Sequence, residues 1–390
     1  MQKKNIPLLC VITFLQGMVF YASVATLYRE AAGLSMLQIG TIEAVNLALS
    51  MALEVPWGWL ADRIGYRKTM IVCNVLFLVT KVIFWQAEGF AGFLAERVLL
   101  AVVLSGLSGV DSSMLYLSAP PEKNQKNEGW YQAVGEAGVL LSGLVYTVFL
   151  SGQYRAAALW TMIAYGLAAV LTFFLAEVKP EEECRQKRSM LALAKEHFRT
   201  PGMILLVLCC ALDGETMHCV TVFFNQKQYV RCGMSDWMIG AAFLVMTLAG
   251  LCGPLSHRLT KRLGRKRMGV GLLLADALCA GLLAVTGSGL LSVILITMIS
   301  AGGALFGPLV GSMSNEMIRT PDRATAISLN AIVGSCLAVP MELGLNGMAD
   351  VSIPGTMVLC AVLCAAAAVL YSRMLRHSAV QNSEFIIHNS

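Results

Sequence analysis

The chain has 390 residues, 57% of them hydrophobic and 14% charged, with a formal net charge of +5 and a mean hydropathy of +0.67. Soluble globular chains carry about 25% charged and about 45–50% apolar residues, so an ordinary cytosolic enzyme, a disordered chain and a disulfide scaffold are excluded. An outer-membrane barrel is excluded too, because it alternates polar and apolar positions and shows no long apolar runs.

Stretches long enough to cross about 30 Å of hydrocarbon as helices occur near residues 6–27, 37–61, 68–87, 90–117, 130–151 and 155–176. A second set lies near 202–225, 236–256, 268–286, 289–315, 325–347 and 353–374. The first run follows Met1-Gln2-Lys3-Lys4, but it is too long for a signal peptide's apolar core and lacks a good cleavage site, so it reads as a retained helix. Ten of the twelve cysteines fall in apolar runs, and no pair has metal-site spacing. Packing is their expected role, with no disulfide, no metal and no cofactor.

Basic residues set the expected orientation. With the N-terminus inside, the inner loops and tails hold 23 of the 29 Lys and Arg, and the outer loops hold only Arg29, Arg155, Lys227 and Arg231. Lys81 and Arg97 lie within spans, Lys81 where its stem can snorkel to the outer interface. Both termini are therefore expected to be cytoplasmic. The net charge follows from topology and gives no reason to invoke nucleic acid.

Residues 177–200 form the one long polar break, with a possible amphipathic helix from Ser189 to Phe198 or else a solvated linker. The break separates an N-terminal six-helix bundle (1–176) from a C-terminal one (201–376), followed by a polar tail at 377–390 expected to be disordered. At a constant offset of 199 residues, Ile64-Gly65-Tyr66-Arg67-Lys68 aligns with Leu263-Gly264-Arg265-Lys266-Arg267. Ser113-Met114 falls on Ser312-Met313, and Val134-Gly135 on Val333-Gly334. One ungapped register across three places predicts two pseudo-symmetric repeats.

The segment Gly58-Trp59-Leu60-Ala61-Asp62-Arg63-Ile64-Gly65-Tyr66-Arg67-Lys68 resembles the G-x-L-a-D-r-x-G-r-k signature between helices 2 and 3 of major facilitator transporters, and it sits between the matching spans. Parallel six-helix repeats are that superfamily's architecture. Glu54-Val55-Pro56 and the run from Ser108 to Tyr116 are similar to bacterial drug or metabolite exporters. In physical terms Gly58 permits close helix approach, Gly65 serves a short turn, and Asp62 can accept from exposed helix N–H groups or pair with Arg. The resemblance implies an inner-gate latch of Asp62 with the start of helix 11 near Thr325. It also implies an acid on inner helix 4, filled by Asp111, close to Arg63, Arg67 and Lys68. In the C-terminal copy Lys261 replaces the acid, so no equivalent latch is expected there.

A carboxylate at the bilayer centre costs roughly 2.5–3.5 kcal/mol on the insertion scale. The seventh span carries two, Asp213 and Glu215, near its midpoint. They must face a cavity, pair, or take up protons. Glu215 and His218 share a helix face, and Asp213 points away from them. Glu215 corresponds to Gln16 at the repeat offset, and the resemblance implies that helices 1 and 7 line one pathway. Gln16, Asp213, Glu215 and His218 are therefore the expected proton-coupling or substrate-binding residues. Secondary candidates are Glu54 and Glu136 for an inner network, and Arg97 with Glu342 as an outer pair; Asp276 reads as packing. Seven acids singled out in the spans (Glu54, Asp111, Glu136, Asp213, Glu215, Asp276 and Glu342), set against Lys81 and Arg97, favour proton coupling, cationic substrates, or both.

No phosphate-binding loop, zinc-protease motif or nucleophile elbow is present, so no enzyme is expected. The fifth span has Gly135, Gly138 and Gly143 but not the proline of the exporters' Gly-Pro signature. The leading expectation is a monomeric, proton-coupled exporter of a small amphipathic or cationic organic compound, an antiporter in a bacterial plasma membrane. A proton-coupled nutrient importer, and a lipid flippase or membrane sensor, are the alternatives.

Overall fold

In the computed structural model the described residues are 4–119, 124–178, 190–318 and 323–388; within them the surroundings of some residues, including Gly58 and Asp62, lie outside the description. Among these residues the secondary structure is helical throughout, and twelve helices are long and apolar enough to cross a membrane. We number them α1 Asn5–Ala31, α2 Met36–Ile64, α3 Tyr66–Gln86, α4 Gly89–Leu107, α5 Asn124–Val145 and α6 Tyr154–Thr172. The second six are α7 Met203–Arg231, α8 Asp236–Leu263, α9 Arg265–Val285, α10 Gly289–Met317, α11 Arg323–Val351 and α12 Ile353–His388. The residues from 377 to 388, expected to be a disordered tail, continue α12 as helix.

Local chemistry accounts for the helix ends. A capping box starts α2: the Ser35 hydroxyl accepts from the Gln38 N–H at 3.2 Å, and Gln38 Oε1 accepts from the Ser35 N–H at 3.0 Å. Between α2 and α3 the chain turns on Gly65 alone, at φ 93° and ψ 148°; between α8 and α9 it turns on Gly264, at φ 78° and ψ 152°. This region of backbone space is essentially reserved for glycine. The two glycines are 199 residues apart, so the repeat read from sequence is also a repeat of backbone conformation.

Two compact units result, one of Met1–Cys184 with Met234–Leu244, the other of Arg185–Gly233 with Val245–Ser390. In the first, Asn5 ties the start of α1 to the far end of α6. Its amide donates to Ser118 Oγ and to the Ala176 carbonyl, both at 3.0 Å, and its oxygen accepts from the Ala176 N–H at 2.9 Å. Glycines let α1 and α5 touch backbone to backbone, with Gly138 against the Phe14 carbonyl and Gly17. In the second, Tyr371 of α12 packs on Gly269 of α9 and donates to the Arg265 carbonyl at 3.0 Å. The segment between the halves forms a helix at Met190–His197. This helix is docked rather than solvated: His197 is buried and its Nε2 lies 2.8 Å from Asn330 Oδ1 of α11.

Candidate functional site

The acids of α7 sit one to two turns before the helix loses its regular hydrogen bonding. Met203–Cys219 is α-helical, Val220–Phe224 is a π-helical turn, and Asn225–Arg231 resumes the α-helix. Such turns occur often at functional sites. In α1 the helix breaks at Met18–Tyr21 and restarts through Ala22–Val24, and that is the same place at the repeat offset.

Asp213 and Glu215 point to different neighbours, as their spacing requires. Glu215 is half-buried and accepts a weak bond from Cys219 Sγ at 3.5 Å. Glu342 of α11 completes the group, and the ligand atoms of Glu215, Cys219 and Glu342 lie within 4.8 Å of one another. Two carboxylates and a thiol are a donor set that a divalent metal could use. They are equally a place where a proton turns carboxylate repulsion into a hydrogen bond. Asp213 is buried on the other side, hydrogen-bonded to Cys364 of α12. His218 is exposed, and its ring meets Phe223 edge-on at 5.7 Å.

Gln16 is engaged inside its own bundle. Its amide donates to Asn74 Oδ1 at 2.6 Å, while its carbonyl accepts from the Tyr165 hydroxyl at 2.6 Å. The outer-pair expectation changes in a similar way. Arg97 is held by Glu43 at 2.7 Å and Glu96 at 3.6 Å, and Glu342 lies with Glu215. Each therefore has carboxylate neighbours within its own unit. Glu54 and Glu136, expected among buried charges, are both exposed.

A buried ion network in the N-terminal unit was missed by sequence reasoning. Arg29, assigned to an outer loop, lies on the last turns of α1 at 1% exposure and pairs with Glu43 at 2.9 Å. Lys81 does not snorkel. It is buried, 3.9 Å from Glu96 and 3.3 Å from the Tyr21 hydroxyl, with the Tyr165 and Phe77 ring centroids at 5.0 and 5.2 Å. Three bases and two acids thus meet across α1 to α4, with aromatic rings at cation–π distance about the amine. The missed signal was Glu43 and Glu96 themselves, two further acids inside apolar runs.

The signature between α2 and α3 acts within its bundle. Beyond the Gly65 turn, Arg67 pins the start of α3 to the end of α6: its guanidinium donates to the Phe173 carbonyl at 2.8 Å and its N–H to Glu177 at 3.1 Å. Asp111 accepts from the Tyr131 hydroxyl of α5 at 3.2 Å. Arg63 and Lys68 are exposed. The latch expected of Asp62 involves a side chain outside the described ones. In the C-terminal unit, where no latch was expected, Arg265 forms a two-pronged pair with Glu316 at 2.6 and 2.7 Å, joining α9 to α10.

These features define a polytopic membrane protein of two repeated helical units with buried titratable groups. The match to the Major Facilitator Superfamily spans residues 8–341, and the chain belongs to that family. Over 247 residues it is 27% identical to the putative niacin/nicotinamide transporter NiaP of Bacillus subtilis, covering 61% of this chain and 60% of that protein. It is 25% identical over 212 residues to the quinolone resistance protein NorA of Staphylococcus aureus, covering 50% and 52%. The chain thus matches less than two thirds of the length of either relative. A crystal structure of the nucleoside transporter NupG superimposes with a TM-score of 0.81 at 14% identity, over 95% of this chain and 99% of that one.

Proposed function

We propose that this protein is a proton-coupled secondary transporter that exports a small amphipathic or cationic organic compound by alternating access. It would lie in a bacterial plasma membrane with both termini cytoplasmic, acting as a monomer. The observation that carries this reading is the Glu215–Cys219–Glu342 group. Two carboxyls close together on α7 and α11, within apolar helices, repel each other as ions, and a proton or a cation between them would relieve that repulsion. A substrate cation approaching Glu215 would compete with that proton, which is the exchange an antiporter needs. NorA, a resistance protein, supports outward transport by analogy.

The test uses proteoliposomes with a trapped pH-sensitive dye, with compounds first chosen by thermal shift. Adding substrate moves protons in the wild type, and Glu215→Gln abolishes the movement. Unchanged movement in that variant removes Glu215 as the coupling group. Overexpression should lower the intracellular level of the compound.

A second reading has one observation in its favour. The buried group Arg29, Lys81, Arg97, Glu43 and Glu96 carries a formal charge of +1, which suits a small organic anion, and NiaP's name gives niacin or nicotinamide as its cargo. A proton-coupled importer of such an anion would raise the intracellular level instead.

A further inference from the structure

The two repeats differ in chemistry where α9 packs against α10 and α12. In the N-terminal unit the corresponding place is a cluster that includes Phe77, Val103 and Tyr165, with the Phe77 and Tyr165 rings 4.7 Å apart and facing the Lys81 amine. Adding 199 to each number gives Asp276, Gly302 and Cys364. A ring has become a carboxyl, a branched side chain has become none, and a phenol has become a thiol. All three changes reduce volume at one spot, and the first puts a carboxyl where the other repeat has a ring.

The acid fills the space thus made. A Cβ on Gly302 would come within 2.8 Å of Asp276 Oδ1, so only glycine at that point of α10 lets the carboxyl lie against the helix. Asp213 of α7 enters from the other side and shares a hydrogen bond with Cys364. Asp213 is 3% exposed and Asp276 2%. Asp213 Oδ1 and Asp276 Oδ2 make no hydrogen bond to any described residue. Cys364 hydrogen-bonds Asp213, the two carboxyls act on each other, and the thiols of Cys209 and Cys210 of α7 and Cys279 of α9 lie close enough to feel them. Two buried carboxylates whose free oxygens have no donor are expensive as ions. A proton supplies the missing donor and, unlike an organic ligand, needs no cavity.

We propose that Asp213 and Asp276, together with Cys364, form a proton-binding site inside the C-terminal unit, distinct from the Glu215 group. This deepens the transport reading and rests on it for its purpose: α7 would carry proton sites on two opposite faces. Movement of α7 against α9 would part the carboxyls and release the proton from one Asp oxygen to water, leaving a carboxylate.

The test is infrared difference spectroscopy of the full chain in nanodiscs between acidic and alkaline pH, in sodium-free buffer. With Glu215→Gln and Glu342→Gln in the background, so that the other carboxyl pair contributes nothing, the chain should show a protonated-carboxyl C=O band that shifts in heavy water. In that background Asp213→Asn and Asp276→Asn should each remove it, and Cys364→Ser should shift its frequency without removing it. Should either Asn variant fail to fold, Asp276→Glu keeps the carboxyl and must keep a displaced band. A band that survives both Asn substitutions overturns the proposal, and so does a band that responds to added NaCl at fixed pH, which would mark a sodium site. If wild-type liposomes move no protons with substrate yet the band behaves as expected, the coupling reading fails and the site stands.

Discussion

The buried ion network of the N-terminal unit makes an unequal prediction for two substitutions at opposite ends of one salt bridge. Glu43 accepts from both Arg29, at 2.9 Å, and Arg97, at 2.7 Å. Glu43→Gln leaves three bases facing one acid, Glu96, and strands Arg29, which is only 1% exposed. Removing one partner of a buried pair costs about 3–5 kcal/mol. Glu43 is 13% exposed, so water relieves part of the cost and about 3 kcal/mol is expected. Arg29→Met removes the other partner of the same bridge but leaves two bases on two acids, with Glu43 still held by Arg97. Nε and Nη2 of Arg29 make no hydrogen bond to any described residue, so little else is lost, and exchanging a buried charge for an apolar side chain is often neutral. A change within about 1 kcal/mol is expected. Reversible unfolding in mixed micelles, titrated with SDS and followed by the fluorescence of the six tryptophans, measures both. In the double variant the Glu43→Gln loss should shrink, because Arg29 is no longer there to be stranded. If Arg29→Met costs as much as Glu43→Gln, or the double variant is simply additive, the charge-balance reasoning is wrong.

Two further outcomes test the repeat and the inner face. Gly65→Ala and Gly264→Ala both force alanine into a glycine-only backbone region and should each cost about 1–3 kcal/mol by the same unfolding assay; Gly65→Ala should be at least as costly, because its Cβ would also press on the Glu177 carboxyl at 3.0 Å, whereas nothing lies within 4 Å at Gly264. Equal stability of wild type and either variant would show that the turn can be remade. Arg265→Ala breaks the shortest ion pair among the described residues of the C-terminal unit, yet the two side chains are 48% and 52% exposed, so under about 1 kcal/mol should be lost and the loss should shrink in salt; a salt-independent loss above that would mean the pair is structural.

The spans, the repeat and the turn at Gly65 were legible because each depends on sequence-local properties: length of apolar run, register, and a glycine where no other residue fits. Asp213 and Glu215 were legible as anomalies for the same reason, and their opposite orientation followed from two residues of helical rotation. Their partners were not. Asp276 and Glu342 lie 63 and 127 residues further along the chain, and which acid meets which depends on how α9 and α11 are rotated about their own axes. Arg29 was misread for a simpler cause. The break at Met18–Tyr21 does not end the first helix, and the continuation through Ala25–Ala31 carries Arg29 back inside. Lys81 was assigned to the interface because its long stem permits that, but a carboxylate and three rings already surround the amine.

The repeats therefore share a backbone and divide their charges. Gly65 and Gly264 adopt nearly one conformation, and the broken α1 and π-turned α7 lose regularity at one register. The buried charges diverge. In the N-terminal unit each buried carboxylate has a cation beside it. In the C-terminal unit the acids of α7 have other acids and thiols for neighbours. Duplicated halves with one backbone thus differ in the charges they bury, and with the proposed proton coupling the exchangeable protons would belong to the C-terminal one. On this view substitutions in the Arg29–Glu43–Arg97 network act on stability or on substrate choice and leave proton movement per turnover unchanged, whereas Glu215, Asp213 and Asp276 control proton movement. A substitution of Glu43 that uncoupled protons from substrate without unfolding the chain would break that division.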